Sequence, residues 1–171
     1  MHHWLTGIYA TLFIAGIASA ETMKDELRDF RGIPWSSAFD LQRDNMKLIR
    51  REGNVAYYRK KSESLTFGQA DVVKIAYRYY KDQFSTGVVQ TFGASNKTAL
   101  LAAVHRMHGE PLRPREHVEQ YMWQGKDESI VLTCEANSYC LAEFYSLTLS
   151  ETEAADTGIS EPHKTYDKDD D

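Results

Sequence analysis

Two histidines offer the first residues whose spacing could do chemistry. His105 and His108 lie three positions apart in a segment with helical periodicity, so their side chains share one side of the predicted helix. Imidazoles in this arrangement can bind a divalent metal, with His117 or Glu110 as a further ligand. The alternative is that both border the apolar side of the helix and form local hydrogen bonds. We keep them as candidate metal ligands, but we predict no metal or other cofactor.

The two cysteines of the chain, Cys134 and Cys140, are separated by five residues. When the flanking segments are paired as a hairpin about Asn137, the cysteines fall opposite each other. Cross-strand neighbours lie about 4.5–5.5 Å apart, within the range that a disulfide accepts. Redox sites favour Cys-x-x-Cys, which this spacing does not match. The pattern therefore predicts a structural disulfide that closes a hairpin.

Common catalytic signatures are missing from the sequence. It contains no Gly-x-Ser-x-Gly for a serine nucleophile, no His-Glu-x-x-His for zinc and no glycine-rich phosphate loop. Carboxylate pairs cannot be located without a structure, so a small exported hydrolase that uses carboxylates or His105 stays an open alternative. We assign no catalytic residue and favour a protein that is not an enzyme.

Aromatic and basic residues on one predicted strand suggest a contact surface. The chain has ten tyrosines, most of which are expected in the core or in cross-strand pairs. Tyr80, beside Arg78 and Lys74, could instead form an interaction surface, since Tyr and Arg are favoured at protein interfaces. We therefore predict a binding or interaction protein, such as an accessory subunit, inhibitor or assembly factor. Its expected partner is another exported or envelope protein.

The first twenty residues resemble an export signal. They contain no Lys, Arg, Asp or Glu, and an apolar run from Leu5 to Ala18 precedes the small-x-small sequence that ends at Ala20. This pattern predicts a secretory signal peptide cleaved after Ala20. The run is shorter than the roughly 18–20 residues that span a bilayer. We expect a periplasmic or secreted protein with no stable membrane span, and an uncleaved anchor is the alternative.

Charge is unevenly distributed along the 171 residues, whose net charge is −5. Residues 151–171 carry eight acidic residues and two lysines, whereas residues 21–150 are close to neutral. Few large apolar side chains occur in the acidic segment, which predicts a disordered tail at 151–171. The remaining 21–150 is long enough for one domain. No strongly basic composition points to nucleic-acid binding.

Hydrophobic periodicity predicts an α+β domain. Leu100, Val104 and Met107 recur at helical spacing within a helix from Ala94 to Gly109. A second, weakly periodic helix is predicted to begin at Ser37 and end before Gly53. The expected strands are Val55–Lys60, Asp71–Tyr80, Phe84–Gly93, His117–Trp123, Ser129–Glu135 and Tyr139–Leu149. We therefore expect an antiparallel β-sheet of about five or six strands, with one strongly and one weakly periodic helix on one face.

Two short motifs carry a family resemblance. Phe30-Arg-Gly-Ile-Pro-Trp35 opens the domain, and the predicted helix is followed by Gly109-Glu-Pro111. The chain resembles a scattered set of small exported bacterial proteins that open with Phe-x-Gly-(Ile/Val)-x-Trp-Gly and later carry a helix ending in Tyr-Gly-x-Pro. It departs from them at Ser36, where Gly is usual, and at His108, where Tyr is usual. The resemblance implies a single exported α+β domain and carries over no activity and no catalytic residue.

Overall fold

The structure, a computed structural model, describes residues 23–41 and 45–158. The predicted signal peptide and the acidic residues beyond Gly158 lie outside the described residues. Within them the chain forms a seven-stranded antiparallel sheet and two helices. The mixed α+β class is therefore confirmed, with more strands in the sheet than the five or six predicted.

The strands of the large sheet are β3 Met46–Glu52, β4 Val55–Lys60, β7 Lys74–Tyr80, β8 Gln83–Phe92, β9 Glu119–Gln124, β10 Glu128–Cys134 and β11 Tyr139–Ser146. Their order in the sheet is β3-β4-β7-β8-β11-β10-β9, and every neighbouring pair is antiparallel. Two small hairpins join β1 Asp29–Phe30 to β2 Ile33–Pro34, and β5 Thr66–Phe67 to β6 Ala70–Asp71. The helices are α1 Ala94–His108 and α2 Leu147–Thr157.

One face of the sheet holds the hydrophobic core. Because side chains alternate along a strand, Ile75, Tyr77 and Tyr79 of β7 all point into this core. Helix α1 covers the same face and buries Leu100 and Val104 against it. The predicted helix is thus confirmed.

The opening motif packs into this core. Phe30 lies so close to Gly87 that a Cβ there would come within 2.3 Å of its ring, so β8 needs glycine at this position. The Trp35 ring stacks on Phe84 with centroids 5.1 Å apart. Ser36 has a φ of +60°, in the left-handed region that favours glycine. This explains, in physical terms, why glycine would suit that position.

A bulge changes which residues of β8 share a face. The turn residues Lys81 and Asp82 both have positive φ, as a two-residue hairpin turn requires. The register then shifts between Arg78 and Tyr79, which leaves Phe84 in the core, whereas Val88 lies on the opposite face, outside the core cluster. Phe84 and Val88 therefore lie on opposite faces, although an even spacing within the predicted strand Phe84–Gly93 would place them on one face.

The β10–β11 hairpin confirms the predicted register. Ile130 pairs with Phe144, and Cys134 pairs with Cys140. The two cysteines form a disulfide, with Cα atoms 4.1 Å apart. Their bond joins two central strands of the sheet.

The weakly periodic helix predicted from Ser37 is wrong over residues 46–52, which form strand β3, whereas residues 42–44 of that prediction lie outside the described residues. Residues 46–52 pair along β4, with a bulge between Leu48 and Arg50. Met46 is buried while its neighbour Lys47 is exposed, which is the alternation expected in a strand at the edge of a sheet. Pairing with β4 therefore determines the structure of this segment, and its weak helical periodicity does not.

The prediction of a disordered tail is wrong over residues 151–157, which belong to helix α2. The predicted last strand ends at Ser146 instead of Leu149, and the helix follows at once. It lies against the face of the sheet opposite the core, where it buries Leu149 and Glu153. Acidic side chains of this helix bind basic and tyrosine side chains of β7, which is why an acidic segment can be ordered here.

Candidate binding site

The candidate site lies where strands β4 and β7 diverge. Their pairing runs from Val55 opposite Tyr80 to Tyr58 opposite Tyr77 and stops there. Strand β4 nevertheless continues to Lys60 on the β3 side, and β7 begins as early as Lys74 on the β8 side. The sheet therefore opens into a fork between these two strands.

A groove of about 390 Å³ lies in this fork. Its volume is at the lower end of the range typical of ligand sites, about 300–1,000 Å³. We call it the basic groove, because five of its nine lining residues are cationic: Lys47, Arg59, Lys60, Lys61 and Lys74, with Glu63, Leu65, Val73 and Ile75.

The acidic residue that lines the groove already has partners. Glu63 accepts a hydrogen bond from the Tyr77 hydroxyl and forms an ion pair with Arg31 Nε at 2.7 Å. Burial, followed by the hydrogen bond to Glu63, raises the pKa of Tyr77 far above its usual value. Lys60 is also held in place, because its Nζ donates to the Arg31 carbonyl at 2.9 Å. The charge of Glu63 is therefore balanced by Arg31.

Three cationic side chains at the groove have no such partner among the described residues. Lys47 and Arg59 are directly opposite each other in the β3–β4 register, and both are exposed. Directly opposed like charges destabilise a sheet. Neither of these two side chains nor the exposed side chain of Lys61 forms an ion pair or hydrogen bond with any residue that the structure describes. The opposed cations therefore cost stability, and no counter-charge among the described residues offsets that cost, as is expected of an anion-binding site.

Apolar side chains lie beside these cations. Leu65 is 49% exposed and Val73 is 57% exposed, whereas Ile75 is buried and lines the groove from the core side. The groove can therefore hold an anionic group and an apolar group together.

The predicted interaction surface is divided by the structure. Lys74 is partly buried and lines the basic groove. Arg78 is only 7% exposed and Tyr80 only 2%, because α2 covers them. Arg78 forms an ion pair with Glu153, and the Tyr80 hydroxyl donates to Asp156 at 2.8 Å. The prediction of an exposed surface at Arg78 and Tyr80 is corrected, since α2 already occupies it.

The two histidines face different partners. His105 Nε2 lies 2.9 Å from a Glu110 oxygen at the surface. His108 is buried, its Nδ1 lies 2.6 Å from the Asp25 carbonyl, and burial lowers the pKa of its ring. In the part of the chain that the structure describes, no group of three His, Cys, Asp or Glu residues is arranged to hold a metal ion.

Two carboxyl groups that sequence reasoning missed have raised pKa values. Burial raises the pKa of Glu128 to about 7, although a hydrogen bond that its carboxylate accepts from the Leu27 N–H acts to lower the pKa. Burial also raises the pKa of Glu143 to about 7, although the positive charge of Arg78 opposes it. The position of Glu143 in the predicted strand could have indicated its raised pKa, because the residues paired with it on the two neighbouring strands are Val88 and Val131. Neither carboxyl lines the basic groove.

Neither α1 nor α2 is long and apolar enough to cross a membrane, and the described residues contain no other candidate span. Comparison with known proteins gives no further guide to the site. The chain matches no protein-family model, no curated protein and no solved structure.

Proposed function

We propose that this chain is an exported binding or interaction protein and that the basic groove is its contact site. One observation carries the proposal: three exposed cations border an open groove without an acidic partner among the described residues. Favourable contact therefore requires negative charge from outside the described residues. The expected partner is another exported or envelope protein that presents acidic groups, and the roles of accessory subunit, inhibitor and assembly factor all fit such a contact.

The proposed location rests on the apolar leader and the disulfide. We propose that the leader is a signal peptide cleaved after Ala20, and that the mature chain is periplasmic or secreted. The Cys134–Cys140 disulfide supports this location, since disulfides persist in oxidising compartments. The resemblance to small exported bacterial proteins supports the same proposal.

A binding role is favoured over the two alternatives, a hydrolase and a metal-binding protein. Glu128 is fully buried, and Glu143 lies between two valines outside the groove. His105 and His108 bind different partners within the fold. Within the part of the chain that the structure describes, the groove combines solvent access, positive charge and a volume suited to a ligand.

Site-specific photocrosslinking in the native cells tests this proposal. A crosslinking amino acid at Leu65 samples the groove. The control is the same amino acid at Phe92, which is at least as exposed as Leu65 but does not line the groove. We expect a discrete crosslinked protein from Leu65 only, and its loss in the double variant K47E/R59E. Identical products from both positions, or no effect of the double variant, would contradict the proposal.

A further inference from the structure

We infer that the segment 161–171 of this chain binds the basic groove of its own molecule and competes there with the external partner. This inference rests on the proposed function and adds regulation of the same site, because the partner has to displace a tethered acidic segment. It commits to the chain's own segment as the occupant, and a second copy of the chain is an outcome of the test.

Opposite charges on the two parts of the chain support this contact. The segment 161–171 contains five acidic residues and two lysines, and three aspartates are consecutive at 169–171. The groove presents Lys47, Arg59 and Lys61, whose side chains have no acidic partner among the described residues. The consecutive aspartates can therefore supply the negative charge that these cations attract.

Helix α2 brings the chain to the face of the sheet on which the groove cations lie. Glu153 of α2 binds Arg78, and Arg78 is paired with Tyr57 of β4. Because side chains alternate along a strand, Arg59 lies on the same face as Tyr57, and Lys47 is paired with Arg59. The helix and these two cations are therefore on one face, opposite the core.

The end of α2 lies beside strand β4, which carries Arg59. Asp156, in the last turn of the helix, accepts a hydrogen bond from Tyr80. Tyr80 is paired with Val55 of β4. Arg59 is four residues further along β4, which corresponds to about 13 Å in an extended strand. A short distance therefore separates the end of the helix from the groove.

The chain that follows α2 is long enough to cover this distance. Residues 159–171 follow the helix, and thirteen residues reach at most about 43–47 Å when fully extended. Ten residues with the dimensions of a flexible linker span about 16–19 Å on average, which is close to the distance to be covered. A tether of matched length gives an effective concentration on the order of 1 mM. A segment with an intrinsic Kd of about 0.1 mM then weakens the binding of an external partner about tenfold.

Carbodiimide crosslinking of the mature full chain, read by mass spectrometry, tests the contact because it joins a carboxylate to a nearby lysine amine. We expect crosslinks from the acids of 161–171 to Lys47 or Lys61, and their loss at 1 M salt, which screens charges over about 3 Å. Lys126, an exposed lysine at the opposite edge of the sheet, is the matched control and should form no crosslink with this segment. A mixture of isotope-labelled and unlabelled chains separates contacts within one chain from contacts between two copies.

Competition for a labelled probe tests the regulatory part of the inference. The probe is fluorescein-labelled hexaglutamate, and its binding to the mature full chain is followed by fluorescence anisotropy. Replacing the five acidic residues of 161–171 with serine should strengthen probe binding about tenfold. A synthetic peptide of residues 159–171, added at millimolar concentration, should reverse this gain. The same peptide with serine at the five acidic positions is the matched control and should have no effect.

The outcomes distinguish failure of this inference from failure of the proposed function. If the segment crosslinks equally to Lys126 and to the groove lysines or to none of them, or if the serine variant binds the probe with unchanged affinity, the inference fails. A specific photocrosslink from Leu65 then still supports the proposed function. If labelled and unlabelled chains are joined at the frequency of random mixing, the occupant is a second copy and the intramolecular contact is refuted. If the segment crosslinks to the groove but Leu65 captures no other protein, the groove serves this chain alone and the proposed function fails.

Discussion

Breaking the buried ion pair between Arg78 and Glu153 should destabilise the fold by about 3–5 kcal/mol. Both side chains are 8% exposed, so Glu153→Ala leaves a guanidinium that water reaches poorly. The same pair holds α2 on the sheet. A substitution in a segment whose composition predicted disorder should therefore behave like a substitution in the core.

The surroundings of Arg78 place the expected loss at the lower end of that range. Arg78 keeps a hydrogen bond to Ser85 Oγ at 3.1 Å and remains near the Glu143 carboxylate. We therefore expect about 3 kcal/mol for Glu153→Ala. Glu153→Gln keeps an acceptor for the guanidinium and should cost about 1–2 kcal/mol. The double variant R78M/E153L removes both charges and should lie within about 1 kcal/mol of the parent chain.

Urea unfolding followed by tryptophan fluorescence gives these free energies, and the double-mutant cycle gives the coupling between the two residues. Hydrogen exchange of residues 147–157 reports whether α2 leaves the sheet in Glu153→Ala. A loss below about 0.5 kcal/mol, as for an ordinary surface substitution, would refute the reasoning. Such a result would mean that α2 does not cover Arg78 in solution.

Three further predictions concern a buried carboxyl group, the disulfide and a residue with a left-handed backbone. The pKa of Glu128 is about 7 in the fold, against a usual value of 4.5. The contribution of protonated Glu128 to the free energy of unfolding is therefore fully present below about pH 4.5 and is lost as the pH rises through 7. Glu128→Gln should remove up to about 3 kcal/mol of that loss between pH 5 and 8 in urea titrations. Thiol titration of the denatured, unreduced chain should find no free cysteine, and C134A/C140A should cost about 2 kcal/mol. Ser36→Gly relieves a left-handed φ and should stabilise the fold by about 0.5–1 kcal/mol, whereas Ser95→Gly, within α1, should destabilise it by a similar amount.

The sequence predicted elements whose evidence is local. The β10–β11 register follows from alternation on either side of Asn137, so the position of the disulfide follows as well. Helix α1 was predictable because Leu100 and Val104 form an apolar stripe that ends before a glycine. In each of these cases the decisive neighbours are close in sequence.

The errors arose where a distant partner decides the structure. Residues 46–52 form a strand because they pair with β4. Helix α2 is ordered because its acidic side chains bind Arg78 and Tyr80, which lie about 75 residues earlier in the chain. The basic groove was not predictable for the same reason. Lys47, Arg59 and Lys74 belong to three strands, and nothing in their spacing shows that β4 and β7 separate between them.

The distribution of paired charges separates structural from binding roles. Arg31, Arg78 and Lys81 each bind an acid that also fixes a loop or helix to the sheet. At the groove, the side chains of Lys47, Arg59 and Lys61 have no such acidic partner among the described residues. Lys47 and Arg59 also repel each other, because they are directly opposite in the β3–β4 register. An acidic residue at either position would make the sheet more stable and would reduce the attraction of the groove for anions. Retaining both cations is therefore better explained by an anionic partner than by the needs of the fold.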